Sequence, residues 1–244
     1  MKIKSFGSGS SGNLYLVQNE DTKIIIDCGI RKNDILKNFA KERISLSSIN
    51  GVLITHCHHD HTESINMILD YEIPIYCSLK TANELDLEED EIKPLYDNIN
   101  TKIGSILIKP LCVNHGSCEC MAFILKDKEK TILFATDFYT IPYNLSNFEI
   151  DEIWIECNYV DELMEKLRVE KPNDFNLKYK RQIEVHSSLQ GTITHLEKLN
   201  LSKCKKIYLI HISNGLGDKE LMRNTIQEKF DIWTYSVDSQ GKIE

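Results

Sequence analysis

Proline and tryptophan are scarce in this sequence, five and two residues out of 244, and no proline-rich or low-complexity run marks a linker. Nothing therefore divides the chain, and a single α/β domain spanning residues 1–244 is expected. The eight cysteines (Cys28, Cys57, Cys77, Cys112, Cys118, Cys120, Cys157 and Cys204) contain no C-x-x-C pair. Their scatter suggests no disulfide framework, so free thiols are expected. No apolar run is long enough to cross a bilayer, and the opening Met1-Lys2-Ile3-Lys4-Ser5-Phe6 lacks the apolar stretch of a signal peptide. A cytoplasmic protein without membrane contact is the resulting expectation.

Net positive charge is also missing: 29 Lys and Arg stand against 37 Asp and Glu, for a formal charge of −8. Proteins that hold long nucleic acids usually present a basic surface that displaces counterions from many phosphates. The short clusters Lys178, Lys180, Arg181 and Lys203, Lys205, Lys206 read as solvated faces. An extended polynucleotide is therefore the weaker expectation, although bound cations would bring positive charge of their own.

What is present is a series of apolar strands, each ending at a residue capable of chemistry. An alternating Ile3–Phe6 and the run Leu14–Val17 read as a hairpin around Gly7-Ser8-Gly9-Ser10-Ser11-Gly12-Asn13, a loop in its own right rather than a cloning scar. Lys23–Ile26 is a third strand, ending at Asp27-Cys28-Gly29, with a helix expected from about Arg31 to Lys41. The β-branched run Ile49–Thr55 predicts a buried strand, followed by a helix over Thr62–Tyr71, a strand over Ile73–Ser78 and a helix over Lys80–Glu89. Further strands are expected at Ile103–Leu111, Met121–Lys126, Thr131–Thr136, Glu152–Ile155 and Lys206–Ile210. Four of these deliver His56, Asp137, Glu156 and His211 at their C-terminal ends, where α/β sheets place ligand sites.

Four histidines and an aspartate crowd the six residues His56-Cys57-His58-His59-Asp60-His61. Neutral imidazole nitrogens and carboxylate oxygens are the donors zinc takes, and a hydrolytic site must leave a position for water. His56 and His58, two apart on a tight turn, can face one ion, while Asp60 and His61 can face a second.

This segment matches the H-x-H-x-D-H signature of the metallo-β-lactamase superfamily, which the chain resembles over nearly its whole length. Later family positions follow in order: His115 in Val113-Asn114-His115-Gly116, Asp137 in Phe134-Ala135-Thr136-Asp137, and His211 in Leu209-Ile210-His211-Ile212-Ser213, with Asp27 as the early structural aspartate. The resemblance implies an αββα four-layer sandwich. It also implies two zinc ions, with manganese as the alternative. His56, His58 and His115 would hold one, Asp60, His61 and His211 the other, and Asp137 would bridge them about a shared nucleophilic water. Cys57 and His59 occupy spacer positions and are not counted as ligands.

Trp154-Ile155-Glu156-Cys157-Asn158-Tyr159 and Val185-His186-Ser187-Ser188 resemble the glutamate and histidine-serine motifs of the ribonuclease Z-like branch. That likeness makes His186 the proton donor to the leaving oxygen of a phosphodiester and Glu156 its orienting carboxylate, so the expected catalytic set is Asp60, Glu156 and His186. The exported β-lactamases and the glutathione-binding glyoxalases fit less well, and the long arm of the transfer-RNA processors has no counterpart. The glycine-serine opening looks like the compact YycJ-type nucleases and their phage-encoded relatives, the anti-Pycsar phosphodiesterases that destroy cyclic mononucleotide signals in the host cytoplasm. Leu209–Gly215 followed by an acidic-rich helix adds to the second likeness. Gly116-Ser117-Cys118-Glu119-Cys120 departs from the YycJ pattern after His115. The expectations are thus a small cyclic mononucleotide as substrate, a DNA or RNA strand as the alternative, and a homodimer as in such compact relatives.

Overall fold

The computed structural model describes the backbone of residues 1–244 and every side chain except those of Asp174, Leu177 and Lys178, so Lys178 of the first basic cluster lies outside the described side chains. Lys2–Gly7 (β1) and Leu14–Gln18 (β2) pair antiparallel across the glycine-serine loop, and Lys23–Ile26 (β3) adds to β2. Helix Lys32–Lys41 (α1) crosses to Gly51–Leu53 (β4), which runs parallel to β3. Helices His59–Thr62 (α2) and Ile65–Asp70 (α3) lead to Ile75–Cys77 (β5), and Leu79–Glu84 (α4) leads to Ile92–Pro94 (β6). These strands form a six-stranded sheet in chain order.

The second sheet begins as an antiparallel meander, Thr101–Ile103 (β7), Ile106–His115 (β8) and Cys118–Lys126 (β9), joined by Thr131–Ala135 (β10). Glu152–Glu156 (β11) then pairs parallel with β10. Asp161–Glu170 (α5), Pro172–Asp174 (α6), a π-helical turn at Phe175–Tyr179, Lys180–Val185 (α7) and Leu189–Leu196 (α8) intervene before Lys206–Ile210 (β12). Helix Lys219–Phe230 (α9) and Trp233–Ser236 (β13) complete a seven-stranded sheet of order β13-β12-β11-β10-β9-β8-β7.

Because side chains alternate along a strand, each sheet sends one set of residues to each face. Ile24, Ile26, Tyr15, Phe123, Phe134, Trp154 and Ile210 meet in the slab between the sheets. Ile25 and Val52 point the other way, onto Ile35 and Phe39 of α1 and Met67 and Ile68 of α3. Ile153, Ile155, Ile207 and Leu209 face Leu189 and Ile193 of α8 and Met222 and Ile226 of α9. The layers are therefore helix, sheet, sheet, helix, the αββα sandwich expected. Trp154 can sit in the central slab because Glu152 Oε1 accepts its indole N–H at 2.8 Å.

Several boundaries differ from the sequence reading. β4 stops at Leu53 because the Thr55 amide and hydroxyl turn to the Asp27 carboxylate instead of the strand ladder. The helix expected over Thr62–Tyr71 is two pieces, broken at Ser64, whose amide donates to Cys28 O and whose hydroxyl donates to Ile30 O. The helix expected over Lys80–Glu89 starts one residue earlier, where Ser78 Oγ accepts from Thr81 N, and ends at Glu84. The Ile103–Leu111 strand is split by a turn at Gly104, and its second half runs on to His115. The helix read as acidic-rich, α9, carries Glu220 and Glu228 against Lys219, Arg223 and Lys229, so it is not acidic. Among the described residues, no helix is long and apolar enough to cross a membrane.

Candidate metal centre

The chemistry-bearing residues gather at the C-terminal ends of β3, β4, β10, β11 and β12. Asp27, Asp137 and His211, each at or just beyond a strand end, take left-handed backbone angles, with φ of 58°, 51° and 53°. That region is disfavoured for residues with a β-carbon, and sharp reversals there turn side chains back over the sheet edge. The loop bearing His56 to His61 packs against Gly29, where a β-carbon would meet Asp60 O at 1.7 Å.

Two groups of donors converge. His58 Nδ1 lies 2.8 Å from His56 Nε2 and 3.2 Å from His115 Nε2. Asp60 Oδ2 lies 3.6 Å from His61 Nε2 and 3.7 Å from His211 Nε2. Asp137 stands between them, with Oδ2 3.2 Å from His61 Nε2 and Oδ1 3.8 Å from His115 Nε2 and 3.7 Å from His211 Nε2. Within each triad the donor atoms lie within 4.8 Å of one another. His59 is exposed at the rim and Cys57 points away from both groups, toward Cys118.

The outward nitrogens are held. His61 Nδ1–H donates to Asp27 Oδ2 at 2.7 Å, His115 Nδ1–H to Val185 O at 2.9 Å, and His211 Nδ1–H to Glu156 Oε1 at 2.8 Å. Fixing that proton outward turns Nε2 toward the centre, where it can give its lone pair to a cation, as in histidine ligands backed by a carboxylate or carbonyl. Burial keeps His56, His58 and His115 below the ordinary imidazole range and so neutral. Burial alone would depress His211 too, but Asp137, Asp60 and Glu156 raise it to about 10. His61 is likewise raised, against burial, by Asp137 and Asp27. His211 and His61 in turn hold Asp137 well below the carboxylate range, against burial.

This donor set fits divalent cations. Neutral imidazole nitrogens this close repel through their lone pairs unless a proton or cation lies among them. The buried His211 Nε2 has no hydrogen-bond partner, an orphan that a cation would satisfy.

His186 lies beside the donors on the segment between α7 and α8, with Nδ1–H donating to Glu156 Oε1 at 2.7 Å and Asp137 Oδ1 3.8 Å away. Glu156 is fully buried, and its Oε2 accepts from the Phe138 and Ser187 amides at 3.0 and 3.2 Å. The structure thus brings together all the residues singled out in the sequence. Of these, His58, Asp60, His115, Asp137, His186 and His211 line a pocket of about 460 Å³, together with Ser10, His59, Arg181, Gln182 and Ser213. A second cavity of about 520 Å³, lined in part by Tyr139, Tyr159 and Phe175, shares the His186 side chain.

Two supporting residues went unrecognised in the sequence. Asn13 Nδ2 lies 3.0 Å from His61 Nε2 and 3.2 Å from Asp60 O, and Ser8 Oγ accepts from His211 N at 2.9 Å. The one local signal was the glycine-serine loop itself, a flexible sequence held between well-formed strands.

A family model described as beta-lactamase superfamily domain matches residues 22–212. Exodeoxyribonuclease YycJ of Bacillus anthracis is 22% identical over 246 residues, covering 97% of this chain and 91% of its own. The metallo-beta-lactamase fold protein YhfI from Bacillus subtilis superposes with a TM-score of 0.73 at 17% identity, covering 99% of this chain and 97% of its own. Zn2+-bound PqqB from Methylobacterium extorquens superposes with a TM-score of 0.74 at 11% identity, covering 100% and 99%.

Proposed function

The chain belongs to the beta-lactamase superfamily domain family, and on that premise we propose that it is a binuclear zinc or manganese phosphodiesterase that opens 3′,5′-cyclic mononucleotides to 5′-monophosphates. The observation that carries the reading is the hydrogen-bonded pair of Glu156 and His186 beside the two donor triads. His56, His58 and His115 would hold one ion, Asp60, His61 and His211 the other, and Asp137 both. Bound ions of this class neutralise phosphate charge and let water ionise near neutral pH.

The protein's own residues supply the rest. Glu156 fixes the Nδ1 proton of His186, so the other ring nitrogen can carry a proton toward the pocket, and the carboxylate stabilises the imidazolium. As water attacks phosphorus and the 3′ oxygen departs, His186 gives that oxygen its proton, because an alkoxide leaves poorly until protonated. Arg181 and Gln182 of α7 border the pocket where the rest of the nucleotide would lie. A pocket of about 460 Å³ suits a small ligand. A charge of −8 works against a polymer trailing many phosphates.

A second reading is an exodeoxyribonuclease using the same site, favoured by the likeness to exodeoxyribonuclease YycJ of Bacillus anthracis and by the second cavity across His186. Incubation with cyclic mononucleotides and with labelled single- and double-stranded DNA separates the two. Release of 5′-monophosphate from the cyclic substrate is expected; a 3′-monophosphate would reverse the leaving group. Degradation of DNA with cyclic nucleotides untouched would establish the nuclease instead.

A further inference from the structure

Cys57 and Cys118 belong to neither donor triad, yet their sulfurs stand 3.1 Å apart. Cys57 sits on the loop between His56 and His58, and Cys118 opens β9, opposite His115 in the register of the β8–β9 hairpin. The tight turn at Gly116, with φ of 62°, brings the two strands together there. Glu84, at the end of α4, completes the group: its Oε2 lies 3.8 Å from Cys118 Sγ, and the three donor atoms fall within 4.8 Å of one another. Lys80 of the same helix donates to Ser117 O at 3.0 Å, tying α4 to the hairpin tip.

We propose that Cys57, Cys118 and Glu84 form a separate site for a thiophilic divalent cation of the zinc class, with water as the fourth donor. Zinc takes cysteine sulfur and glutamate oxygen together, and soft sulfur donors distinguish this site from the nitrogen and oxygen donors of the neighbouring centre. A disulfide would use the two sulfurs and leave Glu84 without a part, whereas a cation uses all three groups. Each thiol yields its proton to water as its sulfur–metal bond forms, and no electron is exchanged. Both cysteines are partly exposed and Glu84 is exposed, so an ion can enter from solvent. Once bound, it would link the loop bearing His56 and His58 to the hairpin bearing His115. The site stands whatever substrate the neighbouring centre turns over.

The test is a titration of the whole, reduced protein with Cd2+, read by the ultraviolet thiolate-to-cadmium charge-transfer band and by equilibrium dialysis. The wild-type protein should develop the band and bind one more Cd2+ than Cys118→Ser or Cys57→Ser, in which the band is lost. Glu84→Gln should keep the band but need more Cd2+ to reach it. Circular dichroism checks that each variant is folded, and one folded serine variant suffices for the comparison. No band in the wild-type protein, or a band that persists in the serine variants, overturns the site.

Discussion

Glu156 Oε1 accepts hydrogen bonds from two imidazoles at once, His186 Nδ1–H at 2.7 Å and His211 Nδ1–H at 2.8 Å. One oxygen atom therefore joins the proposed proton donor to a proposed metal ligand. Burial would raise the Glu156 carboxyl, but His186 and His211 hold it below the usual range, so it stays charged and able to serve both.

This sharing predicts different losses for the two partners. His186→Ala should keep its ions and lose roughly a hundred- to ten-thousand-fold in turnover, the range for removal of a general acid. A nitrophenyl phosphodiester, whose leaving group needs no proton, should be spared most of that loss. Glu156→Gln should in addition weaken metal binding by roughly ten- to a hundred-fold, because His211 loses its carboxylate partner. Elemental analysis beside turnover on both substrates measures this; an equal loss on both substrates in His186→Ala would assign it a structural part.

The raised pKa of His211 sets a pH dependence. With a folded value of about 10 against an ordinary imidazole value near ~6.5, its contribution to stability is complete below the ordinary value and is lost as pH rises through about 10. The chelated protein should accordingly melt at lower temperature as the solution is made alkaline. Ion uptake must displace that proton, so affinity should fall as pH falls. Calorimetry in buffers of different ionisation enthalpy should detect proton release at neutral pH, and uptake without proton release would contradict the assignment.

Asn13 supports the second triad from a distance in sequence. It is fully buried, its Oδ1 accepts from Gly9 N at 2.9 Å, and its Nδ2 reaches Asp60 O and His61 Nε2. Asn13→Ala should cost about 1–3 kcal/mol of stability through the partners it strands. It should also weaken the ion proposed at Asp60, His61 and His211 more than the ion proposed at the three histidines. Stepwise chelation, followed by metal content, would show the two ions leaving at more widely separated chelator concentrations than in the parent protein.

The segments of the candidate site were legible because strand ends deliver them: a β-branched run followed by histidine or aspartate is a local pattern, and the central strands and α1 appeared where periodicity places them. The segment from Asp161 to Val185 was not legible. Among the described side chains of its short helices and π turn, Met164, Phe175 and Val185 are buried, too widely spaced to give a periodicity to read. Ser8 and His211 are 203 residues apart, a pairing no window along the chain can reveal. The double duty of Glu156 had the same cause, since the resemblance pointed to His186 but the bond to His211 depends on where β11 and β12 place their ends.

Left-handed backbone at Asp27, Asp137 and His211 bears on how such a protein can drift. A β-carbon in that conformation costs on the order of 1–2 kcal/mol, and glycine escapes the cost. At Asp137 a change to glycine would relax the chain but take from His61 and His211 the carboxylate that raises them. Backbone strain and charge pairing thus pull this position in opposite directions, and a descendant that abandoned the reaction would gain thermal stability only by replacing the carboxylate and its two imidazole partners together.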